Sequence, residues 1–378
     1  KSLVYEDPHD WISENKYNEF SKMKENDLIS FFDIQLNKQA KIMTPKIKYG
    51  SIVSGGIDST LQAAIVNQYK DIEEKLVIDH ERKDRIMKHI NKFNYYFKKD
   101  IKKIKLDKKR YVKLASQCYE IVSSPLQTHD LPARLEISNF FKKNNCKVFF
   151  SADGCDELFG GQQIYYNIFK KKYDYKLNKS PYSSLIDLRN VFESEKTNHY
   201  KKYLDNTWLK SLLKYDFIKS EKEKNIQSSL FLDYFIQSIN VANRSNDLIS
   251  CNNSVEPRNI FISKNILKII VNLPLKYKLN YKEKKINLRQ KYILKKIFSK
   301  YLNEKLIFPK EAFSGFPNSL RRKSHNYHLT KRLLKVDKKI LLKNINKYYD
   351  IKNLKRDVEW KLINTEKFFN NFLSKQAN

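Results

Sequence analysis

Ser54-Gly55-Gly56-Ile57-Asp58-Ser59-Thr60 decides the fold of this 378-residue chain. Ahead of it, Ile47 to Val53 reads as a strand. Behind it, Leu61, Ala64 and Ile65 mark one face of a helix running from Thr60 to about Tyr69. Two glycines at a strand–helix turn let the backbone approach a ligand and aim its N–H groups inward. The helix N-terminus adds positive charge at the same spot, which suits a phosphate or pyrophosphate. Ser54, Ser59 and Thr60 supply hydroxyl donors. Asp58 would repel a phosphate directly and makes sense with a Mg²⁺ between them. The loop is not a Walker A motif, because the GxxxxGK[ST] spacing and its lysine are absent.

A second loop of the same kind lies a hundred residues on, at Ser151-Ala152-Asp153-Gly154-Cys155-Asp156-Glu157-Leu158-Phe159-Gly160-Gly161. It follows Val148-Phe149-Phe150-Ser151, a short apolar strand of the type buried on both faces of a parallel sheet. Both loops are therefore expected at the carboxyl edge of one sheet, where open α/β folds bind ligands. Asp153, Asp156 and Glu157 stand within five residues and need a cation or a proton between them.

Between the two loops, strands are predicted at Leu76–Ile78 and, as an edge, Ile101–Leu106; helices are predicted at Ile86–Phe97, Tyr111–Val122 and Ala133–Asn144. Before the first loop, Ile29, Phe32, Leu36 and Ala40 recur at helical spacing. From about Tyr165 onward the helical period dominates. The expectation is an open α/β sheet with a mainly helical C-terminal half. The expected divisions are a leading segment at 1–40, an α/β layer at 41–175 and a helical part at 176–378.

Composition narrows the class further. Hydrophobic residues make up 41% and charged residues 31%, which is globular. Apolar stretches such as Ile262–Leu275 are interrupted by Lys and Asn and fall short of the ~18–20 residues a membrane span needs. Cys118, Cys146, Cys155 and Cys251 form no CxxC pair, so free thiols in a reduced, cytoplasmic protein are expected. Cys155 reads as a space-filler, and His80 and His129 lack metal-ligand spacing. The net charge of +32 is spread in pairs and triplets such as Lys170–Lys172, Lys282–Lys285 and Arg321–Lys323. With Asn, Ile and Tyr also abundant, that scatter reads as the product of AT-rich coding and as solvated surface, so nucleic acid is not the expected partner.

Together the loops resemble the asparagine synthetase family, whose synthetase domain carries SGGxDS and a later S-G-[ED]-G-x-D-E-x-F-G-G. Downstream, Asp247, Ser250 and Val255-Glu256-Pro257-Arg258 resemble its D-x-x-S-M…V-E-x-R segment. Lys285-Ile286-Asn287-Leu288-Arg289 resembles its K-x-x-L-R, and Lys310 with Phe313 its R-x-K-x-x-F. The resemblance runs from about Asp27 to Phe316. It implies a sheet of the PP-loop ATP pyrophosphatase type and an enzyme that adenylates a carboxylate with ATP, releases pyrophosphate and forms an amide.

By the same resemblance Ser54, Gly55, Gly56, Asp58 and Ser59 hold the pyrophosphate end of ATP, and Asp58 and Asp156 ligate Mg²⁺. Backbone near Val53, Ile78, Ser151 and Ala152 flanks the adenosine. Asp153 stands where many members carry a Glu tied to the acyl-adenylate, and Lys285 offsets phosphate charge. The implied substrates are aspartate and ammonia from glutamine, with the 1–40 stretch expected to connect to a preceding glutaminase domain. A lactam synthetase or another amide synthetase acting on a sugar acid or secondary metabolite is the alternative, and a tRNA-modifying PP-loop enzyme a more distant one. Three departures bear on the substrate: Ala152 for a usual Gly, Asn287 for an apolar residue, and Asn259-Ile260-Phe261-Ile262-Ser263 for a stretch usually ending Pro-Phe-Leu-Asp.

Overall fold

The computed structural model describes residues 6–79, 85–98, 100–124, 128–162, 165 and 206–308. His80, Lys170–Lys172, Lys310, Phe313 and Arg321–Lys323 lie outside them. Five parallel strands form one sheet in the order β3-β2-β1-β4-β5: β1 Tyr49–Ile52, β2 Glu74–Asp79, β3 Lys102–Lys105, β4 Val148–Phe150 and β5 Glu256–Arg258. From β1 the order runs outward in both directions, through β2 on one side and β4 on the other. The crevice beyond the carboxyl ends of β1 and β4 is thus a topological switch point, where such sheets place ligands.

Alternation along the strands divides the core. Val77, Val148 and Phe150 enter one buried cluster, while Leu76, Ile78 and Phe149 enter another on the opposite face. The first face is covered by α2 (Glu25–Met43), α3 (Ile57–Val66), α4 (Arg85–Phe97) and the helix Tyr292–Tyr301; the second by α5 (Lys108–Val122), α6 (Leu131–Lys143) and the helix Arg244–Asn252. Strands buried on both sides explain the apolar run at Val148–Phe150. Among the described residues no helix is long and apolar enough to cross a membrane.

Three details differ from the sequence reading. Helix α3 begins at Ile57, so Asp58, Ser59 and Thr60 lie in its first turn. The part expected to be helical supplies β5, three residues with Pro257 at their centre, too short to alternate and tolerated because β5 pairs only with β4 at the sheet edge. Helix α2 crosses residue 40 and buries Leu28, Ile29, Phe32, Leu36 and Ala40 in the main core, matching their predicted periodicity.

The N-terminal turn Pro8–Trp11, preceding α1 (Glu14–Lys22), is latched to a helical stretch at 206–214. His9 Nδ1 lies 2.7 Å from Asp7 Oδ1, and Nε2 lies 3.1 Å from Ser211 Oγ. These distances mimic a hydrolytic triad, yet Ser211 is wholly buried and its hydroxyl donates to Thr207 O on its own helix. A substrate has no approach to it.

A buried lysine makes stability respond to pH. Lys278 donates to Gln227 Oε1 at 2.7 Å, and burial, partly offset by Glu223, pushes its ammonium from 10.5 down to about 7. Between those values the unfolded chain binds a proton that the folded chain has released, so stability rises with pH across that window. Below about pH 7 the full cost of burying the charge is present. Lys278→Met should therefore raise the urea midpoint at pH 6 by the equivalent of about 1–3 kcal/mol, net of the acceptor left on Gln227. That gain should fade towards pH 10; a difference independent of pH would show that the burial cost is absent.

Candidate active site

The first loop folds back on its own hydroxyls. Ser54 N donates to Ser59 Oγ at 3.1 Å, the Ser54 and Ser59 hydroxyls lie 2.8 Å apart, and Gly56 N donates to Ser54 Oγ at 3.2 Å. Asp58 projects from the first turn of α3. The second loop leaves β4 through Ser151, whose N–H donates to Arg258 O of β5, and enters the short helix α7 (Cys155–Leu158) after Gly154. Gly154 has φ +92°, and a Cβ there would meet the Tyr234 ring at 2.8 Å, so only glycine fits. Tyr234 belongs to a π-helix, Asp233–Asn243, packed against α7.

The two loops meet at Lys291. Its ammonium bridges Asp58 Oδ2 and Asp156 Oδ1, the latter at 2.6 Å, with only 8% of its side chain exposed. Burial alone would depress this ammonium; Asp156 and Asp58 outweigh it and hold the pKa well above the usual lysine value. Lys291 N–H also donates to Phe159 O, tying it to the end of the second loop. At Gly161 the packing is so close that a Cβ would fall 2.0 Å from Asp156 Oδ1 and 2.2 Å from Lys291 Cε. Burial, then Asp233 and Asp156, push the carboxyl of neighbouring Glu157 well above its usual value.

Asp153 faces a different cation. Arg134, on α6, donates from one terminal nitrogen to Asp153 Oδ2 at 2.8 Å and from the other to Oδ1 at 3.0 Å. Ser151 Oγ and Asn246 Nδ2 also donate to Oδ2, at 2.6 and 3.2 Å. Asn259 Nδ2 donates to Asp153 O at 2.7 Å, so one of the departing residues fastens this loop's backbone. Although burial raises the Asp153 pKa, Arg134 and Ser151 lower it more, and it ends below the usual carboxylate value.

The predicted residues thus fall into two sets. Val53, at the end of β1, donates its N–H to Leu76 O; it, Ile78 near the end of β2, Ser151 and Ala152 stand at the carboxyl edge with Ser54, Gly55, Gly56, Asp58, Ser59, Asp153 and Asp156. Lys285 does not join them. Its ammonium is paired with Glu304 at 2.6 Å, and 62% of its side chain is exposed. The stretch holds two similar strings, and Lys291-Tyr292-Ile293-Leu294-Lys295 repeats the K-x-x-L-basic spacing six residues after the first. Only the first string ends in the Arg of K-x-x-L-R, whereas the fold brings Lys291 of the second to the loops. Sequence reading also missed Arg134 and Asn246, which carry no local motif, and singled out Asn259 only as part of a departing stretch. His129 is engaged through its carbonyl, which accepts from Tyr111 OH, and Cys155 is wholly buried with its thiol pushed well up by that burial. Among the described residues no cluster of His, Cys, Asp and Glu has metal-binding form on its own.

No curated protein matches the chain. The asparagine synthase family model matches residues 38–367, which include both loops, all five strands and Lys291. With its glycine–hydroxyl loop and carboxylates gathered at the switch point of a parallel sheet, the chain belongs to the asparagine synthase family, whose domain carries out ATP-dependent amide synthesis.

Proposed function

We propose that the site adenylates a carboxylate with MgATP, releasing pyrophosphate, and that ammonia then displaces AMP to give the amide. The convergence of Asp58, Lys291 and Asp156 between the two loops carries this reading. The Ser54–Ser59 loop receives the pyrophosphate end of ATP, with adenosine along Val53, Ile78, Ser151 and Ala152. Two aspartate oxygens directed at one cation suit Mg²⁺, which typically uses one or two carboxylates plus substrate phosphates. When bound by Asp58 and Asp156, Mg²⁺ would offset charge on the departing pyrophosphate. Lys291 turns its positive charge to the same phosphates, leaving Asp153 at the acyl end. Aspartate is the first carboxylate to test, with ammonia delivered from glutamine. Sugar acids and secondary-metabolite acids come next, because Asn259–Ser263 departs from the family sequence beside Asp153.

Carboxylate-dependent exchange of pyrophosphate into ATP tests the reading directly. Exchange is expected with at least one acid of such a panel and with Mg²⁺ present, followed by amide when ammonia is added. Asp58→Asn and Asp156→Asn should each abolish it while circular dichroism stays unchanged. Exchange with no acid, or wild-type exchange in both variants, would overturn the assignment.

A further inference from the structure

Arg134 is a second cation buried among carboxylates at the same sheet edge, and it lies outside both loops. Its Nε donates to Asp130 Oδ2 at 2.6 Å, while its two terminal nitrogens grip both oxygens of Asp153. Such a two-point fork fixes a carboxylate in plane as well as in position. Asp130 ends the turn just before α6, so the guanidinium is held from behind by its own helix start. Ser151 and Asn246 take up further acceptor positions on Asp153 Oδ2, and Asn259 holds the Asp153 carbonyl.

Exposure separates the roles of the two partners. Only 8% of the Arg134 side chain is accessible, against 25% for Asp153. Asp153 is the more accessible of the two to a ligand in the crevice, and Arg134 would act on such a ligand through Asp153. Among the described residues, the charged groups facing Asp153 are Arg134, with Asp130 behind it, from the α6 side, and Asp156 from its own loop; the helix Arg244–Asn252 offers the neutral Asn246. A proton arriving on this carboxylate would displace or weaken a charge-assisted bond.

Resting on the adenylation reading above, we propose that Arg134 is a positioning residue that fixes Asp153 as an oriented hydrogen-bond acceptor for the N–H of the incoming ammonia, and that Asp153 is not the base that removes its proton. In the amide step the C–N bond forms, the acyl C–O bond to AMP breaks with its electron pair leaving on the AMP oxygen, and the nitrogen releases its proton to water. Asp153 holds the nitrogen on line throughout and stays ionised.

The test is a cycle of Arg134→Met, Asp153→Asn and Arg134→Met/Asp153→Asn, with Arg134→Lys as the conservative variant. Amide formation is followed from pH 5.5 to 9 alongside pyrophosphate exchange. Wild type should show no loss of amide kcat between pH 8 and 6 that Asp153→Asn removes. Arg134→Met should lower amide kcat about 10²-fold at pH 7, as misplacement of an orienting group does. It should also introduce an acid limb near neutrality and leave the KM for ATP within about threefold, a misplaced-acceptor signature. Arg134→Lys should recover part of the rate and remove that limb. Should Arg134→Met fail to fold, the double variant, which leaves no unpaired charge at Asp153, decides: its kcat should equal that of Asp153→Asn alone. Multiplying losses, an unchanged pH profile in Arg134→Met, or a wild-type acid limb abolished by Asp153→Asn would each overturn the inference. A wild type silent in both assays would sink the adenylation reading and this inference together; an active wild type indifferent to Arg134 sinks the inference alone.

Discussion

Lys291→Met should abolish carboxylate-dependent pyrophosphate exchange, whereas Lys285→Met should leave it within about twofold of wild type, since an exposed ion pair contributes only ~0–1 kcal/mol. Methionine keeps most of the buried stem and removes the charge. Asp58 and Asp156 would then face each other, and a triphosphate, without the ammonium that now bridges them. Removing one partner from a buried pair typically costs about 3–5 kcal/mol. A preorganised charge aimed at a developing anion contributes about 10²–10³-fold in rate. Both losses apply to Lys291, so exchange should fall at least 10²-fold even in saturating MgATP. Lys285, paired with Glu304 at the surface, has neither burial nor, among the described residues, a catalytic partner. If Lys285→Met collapses exchange while Lys291→Met retains it, the family lysine is Lys285 and the bridge at Lys291 is only structural.

Adding a single methyl group should do nearly as much damage at Gly161. The alanine Cβ would lie 2.0 Å from Asp156 Oδ1 and 2.2 Å from Lys291 Cε, well inside any contact distance. Gly161 does not have a left-handed φ, so the backbone accepts alanine and crowding alone is responsible. Relief requires Asp156 or Lys291 to move by about 1 Å, and a displacement of that size in a catalytic group can cost about 10²-fold. Overpacking of this kind also destabilises by about 1–3 kcal/mol. Gly161→Ala should therefore lose exchange by about two orders of magnitude and melt several degrees lower. Full activity in the alanine variant would mean that the close packing of Asp156 against Lys291 is not the working arrangement.

The parts of the site legible in the sequence are those written within one loop. Ser54–Thr60 and Ser151–Gly161 announce themselves because glycines, hydroxyls and carboxylates crowd together just after an apolar strand. The open α/β class follows from strands alternating with helices, and α2 from its spacing of apolar residues, whereas the strand order was not legible. The charges that complete these loops arrive from elsewhere. Lys291 lies 233 positions from Asp58, and no periodicity links the two. Arg134 is separated from Asp153 by most of a helix and all of β4, and in the sequence it reads as an ordinary polar residue in a helical pattern. The short β5 has neither alternation nor β-branched residues, and becomes a strand because β4 offers it an open edge. Local physics identifies the anions here, and only tertiary packing identifies their cations.

The pairing of Val148 with Glu256 has a consequence for how the protein is made. A ribosome adding about 5–20 residues per second needs roughly 5–20 s to pass from β4 to β5, and several more to reach Lys291. Until then the emerging chain carries both aspartate loops with no β5 to pair with β4 and no Lys291 ammonium to place between Asp58 and Asp156. The bridge that joins the two loops can form only after Lys291 has been made, so completion of the phosphate site follows the direction of translation.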